Sequence, residues 1–160
     1  MLTIQIVCVG KMSQKWFQIG AEEYIKRLGA FDRVIISEIP EYKITEDTES
    51  NRQEAVKKEG EQILRIINES PNAYKIALCI EGKEFASQEL ADLIQKTKNN
   101  SSKMIFMIGG SAGLSEEVKK ACSLKLSMGK MTFPHQMARM ILLEQLYRAE
   151  TINMGIKYHK

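Results

Sequence analysis

Lys103-Met104-Ile105-Phe106-Met107-Ile108-Gly109-Gly110-Ser111-Ala112-Gly113 is the stretch that decides the fold. An apolar run of strand length ends abruptly in a glycine-bearing loop, and a short helical pattern from Ser115 to Ala121 follows. Near-continuous apolar runs of this kind belong to strands buried on both faces, as in parallel sheets. A second short strand at 123–128 then leads into Met128-Gly129-Lys130-Met131-Thr132-Phe133-Pro134-His135-Gln136 and a final helix from Pro134 to about Thr151. Two glycine loops, each after a strand and each before a helix, are the parts of a pocket walled by backbone amides, with cationic and imidazole groups at its rim.

Working outward, strand and helix alternate along the chain. Residues 2–9 read as a buried strand and 14–28 as a helix with Trp16, Phe17, Ala21, Tyr24, Ile25 and Leu28 at helical spacing. Val34 to Ile39 is a strand closed by Pro40, and 41–50 is a polar loop. A charged helix spans 51–69, a strand 74–81 stopped by Gly82-Lys83, and a helix 87–98 with Ser87 as its N-cap. This alternation predicts one α/β domain over 1–160, a mostly parallel sheet with helices on both faces. Ligands of such sheets bind beyond the carboxyl ends of the strands, where the loops at Gly82, Gly109–Gly113 and Gly129 should converge.

The net charge of +3 conceals an asymmetry. Residues 119–160 hold eight basic groups against Glu144 and Glu150, a balance of +6, and the rest of the chain carries −3. A basic C-terminal region around the glycine loops suits a polyanionic partner. No apolar run approaches the ~18 residues of a membrane span, and the opening Met1-Leu2-Thr3-Ile4 lacks a basic leader, so a cytoplasmic protein is expected. Three cysteines without metal-type spacing and two isolated histidines, His135 and His159, argue against a metal site. The glycine loop is neither G-x-G-x-x-G nor a P-loop, and Ser111 is not in G-x-S-x-G.

Ile108-Gly109-Gly110-Ser111-Ala112-Gly113, Met131-Thr132-Phe133-Pro134-His135-Gln136-Met137-Ala138-Arg139, Glu144-Gln145-Leu146-Tyr147-Arg148-Ala149 and the terminal Tyr158-His159-Lys160 resemble the ribosomal RNA large-subunit methyltransferase H family, of the knotted SPOUT superfamily. Val9-Gly10-Lys11, Tyr24 to Leu28 and Glu81-Gly82-Lys83 fit the same pattern, so the resemblance spans the chain. It implies an S-adenosylmethionine-dependent enzyme that methylates N3 of a pseudouridine in large-subunit (23S) ribosomal RNA. It also implies a C-terminal trefoil knot and a homodimer. A 160-residue chain with no separate RNA-binding domain is expected to prefer assembled ribosomes to a free stem-loop. The alternative class is a non-enzymatic RNA-binding module of the ribosome, which accounts for the basic region but not for the glycine loops.

The resemblance carries the cofactor positions onto Leu78, Gly109, Gly110 and the run Met128, Gly129, Lys130, Met131, Thr132 and Phe133, with Met128-Gly129-Lys130 departing from relatives that carry a Ser or Phe there. Proton transfer from the base needs a positioned acceptor, and Tyr158 and His159 are the favoured candidates. His135 and Arg139 stand beside them, His135 as a hydrogen-bonding group and Arg139 facing either RNA phosphate or a neighbouring carboxylate. The final helix, apolar nearly all round with Met137, Met140, Ile141, Leu142, Leu143, Leu146, Tyr147 and Ile152, is expected to meet the core on one side and a second copy on the other, so that a charge at Leu142 or Leu143 should either split the dimer or unfold the protein.

Overall fold

A computed structural model describes residues 1–160. The elements are β1 (Thr3–Val9), α1 (Lys15–Leu28), β2 (Arg33–Ile39), α2 (Glu49–Asn68), β3 (Tyr74–Glu84), α3 (Ser87–Asn100), β4 (Lys103–Ile108), α4 (Glu116–Lys120), β5 (Leu124–Ser127) and α5 (His135–Asn153). Five strands form one sheet in the order β2-β1-β4-β3-β5, and every pairing is parallel. In its centre Ile6 lies between Ile36 and Phe106.

Alternation along each strand sends side chains to opposite faces, and both faces are covered. Ile4, Ile6, Cys8, Ile76, Met104 and Phe106 pack with residues of α1, α3 and α5, among them Leu28, Ile94, Leu143 and Leu146. Val7, Val9, Ala77, Ile105 and Met107 pack beneath α2 and α4 through Ile63, Ile67 and Val118. The result is the expected α/β sandwich of helix, sheet and helix. No helix is long and apolar enough to cross a membrane.

Four local expectations give way. β3 does not stop at Gly82 but runs on to Glu84. Leu78 and Lys83 both face Leu126 of β5, so Cys79 to Gly82 leave the sheet as an excursion and the strand then rejoins it. Gly82 permits this close return, because a Cβ there would lie 2.7 Å from the backbone carbons of Lys125 and Leu126. α3 is capped at Ala86, not Ser87, with the Ala86 N–H donating to Glu89 Oε2 at 2.7 Å, while Ser87 Oγ donates to Gln145 of α5. Pro134 is the N-cap of α5 rather than its first residue, since its ψ of 144° is extended while its carbonyl accepts from Ala138 N–H. Finally, Leu142 and Leu143 are 1% and 0% exposed within the single chain, so they belong to its own core and not to a face for a second copy.

Candidate active site at the carboxyl edge of the sheet

All strands being parallel, β1, β3, β4 and β5 deliver their carboxyl ends to one edge. An open cleft of about 880 Å³ lies there, walled by the β3 excursion, the 109–114 loop, the 128–134 segment and the first turn of α5. Of the positions assigned to cofactor, Leu78, Gly109, Gly110, Met128, Gly129, Met131, Thr132 and Phe133 line it together. Lys130 is exposed and lies outside the wall.

The glycines divide by what surrounds them. A Cβ on Gly109 would sit 2.6 Å from the Gly113 carbonyl carbon, so the hairpin-like closure of the loop, with Gly113 N–H donating to Gly110 O, itself demands glycine. Gly110 turns its Cα towards Val9 and Glu59, behind the loop. Gly113 (φ 85°) and Gly129 (φ 115°) adopt backbone conformations that side chains resist, and nothing lies within 4 Å of a Cβ built on either. The turn at Gly129 is pinned by Ser127, whose Oγ accepts from Gly129 N–H at 3.1 Å. A close approach of ligand to backbone is thus available at Gly113 and Gly129, while at Gly109 the loop's own chain fills that space.

His135, at the first position of α5, lines the cleft with its ring against Gly10, whose Cβ would lie 3.0 Å from Cε1. Its Nδ1 is buried without a hydrogen-bond partner. Arg139 is 4% exposed and faces neither the cleft nor solvent. Its two terminal nitrogens donate to Glu38 Oε2 and to the Gly10 carbonyl, each at 3.0 Å, so the carboxylate alternative holds. Glu38 also accepts from Met12 N–H, and Gln136 bonds Gln14 N–H and Ser13 Oγ. These bonds fasten the start of α5 to the β1–α1 loop and fix the height of His135 at the cleft.

Tyr158 and His159 are not brought to this cleft within one chain. The tail folds back on the middle of α5. Tyr158 Oη donates to Glu144 Oε1 at 3.1 Å and lies 3.3 Å from Tyr24 Oη, its ring packs edge-on against Tyr147, and Arg148 covers it. His159 Nδ1 lies 3.4 Å from an Arg148 nitrogen. Glu144 follows His135 by nine residues, about 14 Å along a helix axis. Burial, then the bonds to Tyr24 and Glu144, hold the Tyr158 phenol well above its ordinary pKa, so in this position it keeps its proton.

A family model described as "Predicted SPOUT methyltransferase" matches residues 2–159. The chain belongs to the SPOUT methyltransferase family. Relatives named "Ribosomal RNA large subunit methyltransferase H" from Bacillus pumilus and Alkaliphilus oremlandii are 46% and 45% identical to it, in each case over 99% of this chain and 100% of the relative. Among solved structures, this SPOUT chain is similar in fold to a Legionella pneumophila methyltransferase described with bound cofactor SAM (TM-score 0.54, 15% identity, 92% of this chain and 66% of that one). It is similar also to a Haemophilus influenzae methylase-family protein (TM-score 0.56, 15% identity, 98% and 70%).

Sequence reasoning about this SPOUT methyltransferase missed Cys79, Ile80, Glu81 and Lys119, which also line the cleft. Gly82, read as a strand stop, hid the excursion that lifts the first three into the wall. Lys119, in a five-residue helix, counted only as one of the eight basic groups of the C-terminal region. Glu38 was missed because only the fold brings it to Arg139, 101 positions away.

Proposed function

We propose that this SPOUT methyltransferase transfers a methyl group from S-adenosylmethionine to N3 of a pseudouridine in large-subunit ribosomal RNA, on assembled particles and as a homodimer. One observation carries the reading. A cleft walled by loop backbone, open at Gly113 and Gly129, stands at the carboxyl edge of the sheet in a chain whose full-length relatives bear that ribosomal RNA methyltransferase name. Its volume suits a nucleoside-sized ligand, and the unpartnered Nδ1 of His135 is a polar atom still lacking a partner.

When bound, S-adenosylmethionine supplies a methyl group on an electrophilic sulfonium. Leu78 and the 128–133 segment would hold the adenosine through backbone groups, and the cleft wall would exclude water and align the base for in-line attack. The N3 proton must leave as the nitrogen attacks. His135 is the one imidazole of this chain on the cleft, and it orients the base or accepts its hydrogen bond. Tyr158 and His159 are held on the middle of α5 by Glu144 and Arg148, away from the cleft of their own chain, which favours a composite site completed by Tyr158 of the partner subunit and His159 of the partner subunit. Trp16 and Ile19 of α1, 64% and 59% exposed, and Met137 at the start of α5 offer apolar contact area for that second copy. A knotted C-terminal third and one functional unit over 1–160 belong to the same reading.

The test is mass spectrometry of large-subunit RNA from cells lacking the protein, before and after incubating their ribosomes with purified protein and S-adenosylmethionine. The methylated nucleoside should be missing and then restored. Its undiminished presence without the protein refutes the reading.

A further inference from the structure

The cleft has two formally charged side chains in its wall, Glu81 and Lys119, and they are paired directly with each other there. Lys119 Nζ lies 2.5 Å from Glu81 Oε1 and 3.4 Å from Glu116. Glu81 sits on the four-residue excursion that breaks β3 away from β5 and returns through the tight backbone contact at Gly82. Departures from sheet register beside active sites serve to re-aim side chains. Lys119 comes from α4, whose Val118 is wholly buried under the sheet, so the neighbouring Lys119 is held at the rim. The bond to Lys119 lowers the Glu81 carboxyl pKa and the bond to Glu81 raises that of Lys119, so both groups stand ionised at neutral pH.

A pair with one partner about half exposed, as Glu81 is, contributes little to stability, and Lys119, 15% exposed, stands between Glu81 and Glu116. Such a pair exchanges its partner readily for another of opposite charge. Given the cofactor reading above, on which this inference rests, the ligand brings its own adjacent α-ammonium and α-carboxylate into a cleft whose remaining wall is apolar groups, backbone and the side chains of Ser111, Thr132 and His135. We propose that the Glu81–Lys119 pair reads the amino-acid end of S-adenosylmethionine, Glu81 accepting hydrogen bonds from the α-ammonium and Lys119 donating to the α-carboxylate. The two charges, one from the β3 excursion and one from α4, match a zwitterion in one orientation only. Recognition of this end separates the cofactor from adenosine derivatives that lack it.

Calorimetry on the purified full-length protein tests this with two ligands, S-adenosylmethionine and 5′-methylthioadenosine, which shares the adenosine and sulfur but has no amino-acid end. Glu81→Gln with Lys119→Met should weaken S-adenosylmethionine at least tenfold and leave methylthioadenosine within twofold of the unmodified protein. The charge swap Glu81→Lys with Lys119→Glu keeps a bridge across the cleft but inverts its polarity, and should weaken S-adenosylmethionine to the same degree. Restored affinity in the swap would show a purely structural latch and overturn the proposal. So would an equal loss for both ligands, or no loss for either. Failure of the unmodified, folded protein to bind either ligand would instead overturn the cofactor reading beneath it.

Discussion

Glycine at Gly109 and at Gly113 answers two different demands, and single substitutions separate them. Valine at 109 would drive its side chain into the Gly113–Leu114 backbone, where atoms lie 2.6–2.9 Å from the Cβ position. Backbone cannot yield as a flexible side chain would, so Gly109→Val should cost stability, of order 3 kcal/mol by analogy with overpacked interiors. Thermal melting should show the loss even without ligand. Alanine at 113 meets no atom but must hold φ near 85°, at a cost of about 1–2 kcal/mol. Gly113→Ala should therefore stay folded while binding cofactor more weakly, because the new methyl occupies open cleft. Equal melting temperatures for Gly109→Val and the unmodified protein would contradict the distinction. The sequence made these glycines conspicuous but could not sort them, since both follow the same strand and only the closure of Gly110 on Gly113 decides which side of the loop faces ligand.

The helices are joined by a buried charge cluster that no sequence pattern announces. Asp32, in the turn before β2, and Glu150 of α5 both hold Lys98 of α3, at 3.1 and 2.9 Å, and Asp32 also accepts from Leu2 N–H. Both carboxylates are nearly inaccessible, and each leaves one oxygen without a partner, Asp32 Oδ2 and Glu150 Oε1. Burial first, and the neighbouring Asp32 next, push the Glu150 carboxyl up to about 7. Between about pH 4.5 and 7 the folded protein keeps a proton that the unfolded chain has lost, so stability is fullest below that window and falls as pH rises through it. The span corresponds to at most about 3 kcal/mol at 1.36 kcal/mol per unit. Urea midpoints at pH 5 and pH 8 should show the fall, and Glu150→Gln should flatten it. A midpoint that climbs over this range would reverse the assignment. The same scale corrects the final helix. Its all-round apolar character was legible, but α5 packs against both α1 and α3, so one chain already buries Leu142 and Leu143. Leu143→Asp should consequently unfold the protomer, by several kcal/mol for an unpaired buried charge, rather than yield a folded monomer on sedimentation. Strands and helices were readable because their apolar periods are local. The β3 excursion and the Arg139–Glu38 pairing were not, because each depends on elements distant in sequence.

For the molecule as a whole, the decisive question is where the tail works. Within one chain Tyr158 engages Glu144 through its hydroxyl and Tyr147 through its ring, at the middle of the 19-residue α5, while the cleft with His135 opens at the start of that helix, about 14 Å away along its axis. In the proposed homodimer, antiparallel apposition of two such helices would set the tail of each copy near the cleft of the other, and the basic groups Lys157 and Lys160 would then stand where an RNA phosphate approaches. Deleting Lys157–Lys160 removes the Tyr158 contacts and should lower stability by about 1 kcal/mol, in the range of an aromatic pair with its hydrogen bond. Cofactor affinity should hold, since Leu78, Gly113 and the 128–133 segment are untouched. Methyl transfer to ribosomes should fall by roughly 100- to 10,000-fold, as when a positioned acid–base group is lost. Mixing decides the geometry. A truncated chain and a full-length His135→Ala chain, each nearly inactive alone, form a heterodimer in which one cleft keeps its His135 and receives the partner's intact tail. Random pairing makes about half of the dimers mixed, each with one working cleft of two, so recovery of about a quarter of the normal turnover after mixed refolding is the outcome expected of a shared site. If the mixture stays as inactive as its components while sedimenting as a dimer, the tail serves the cleft of its own chain, and α5 must release Tyr158 from Glu144 to let it reach there.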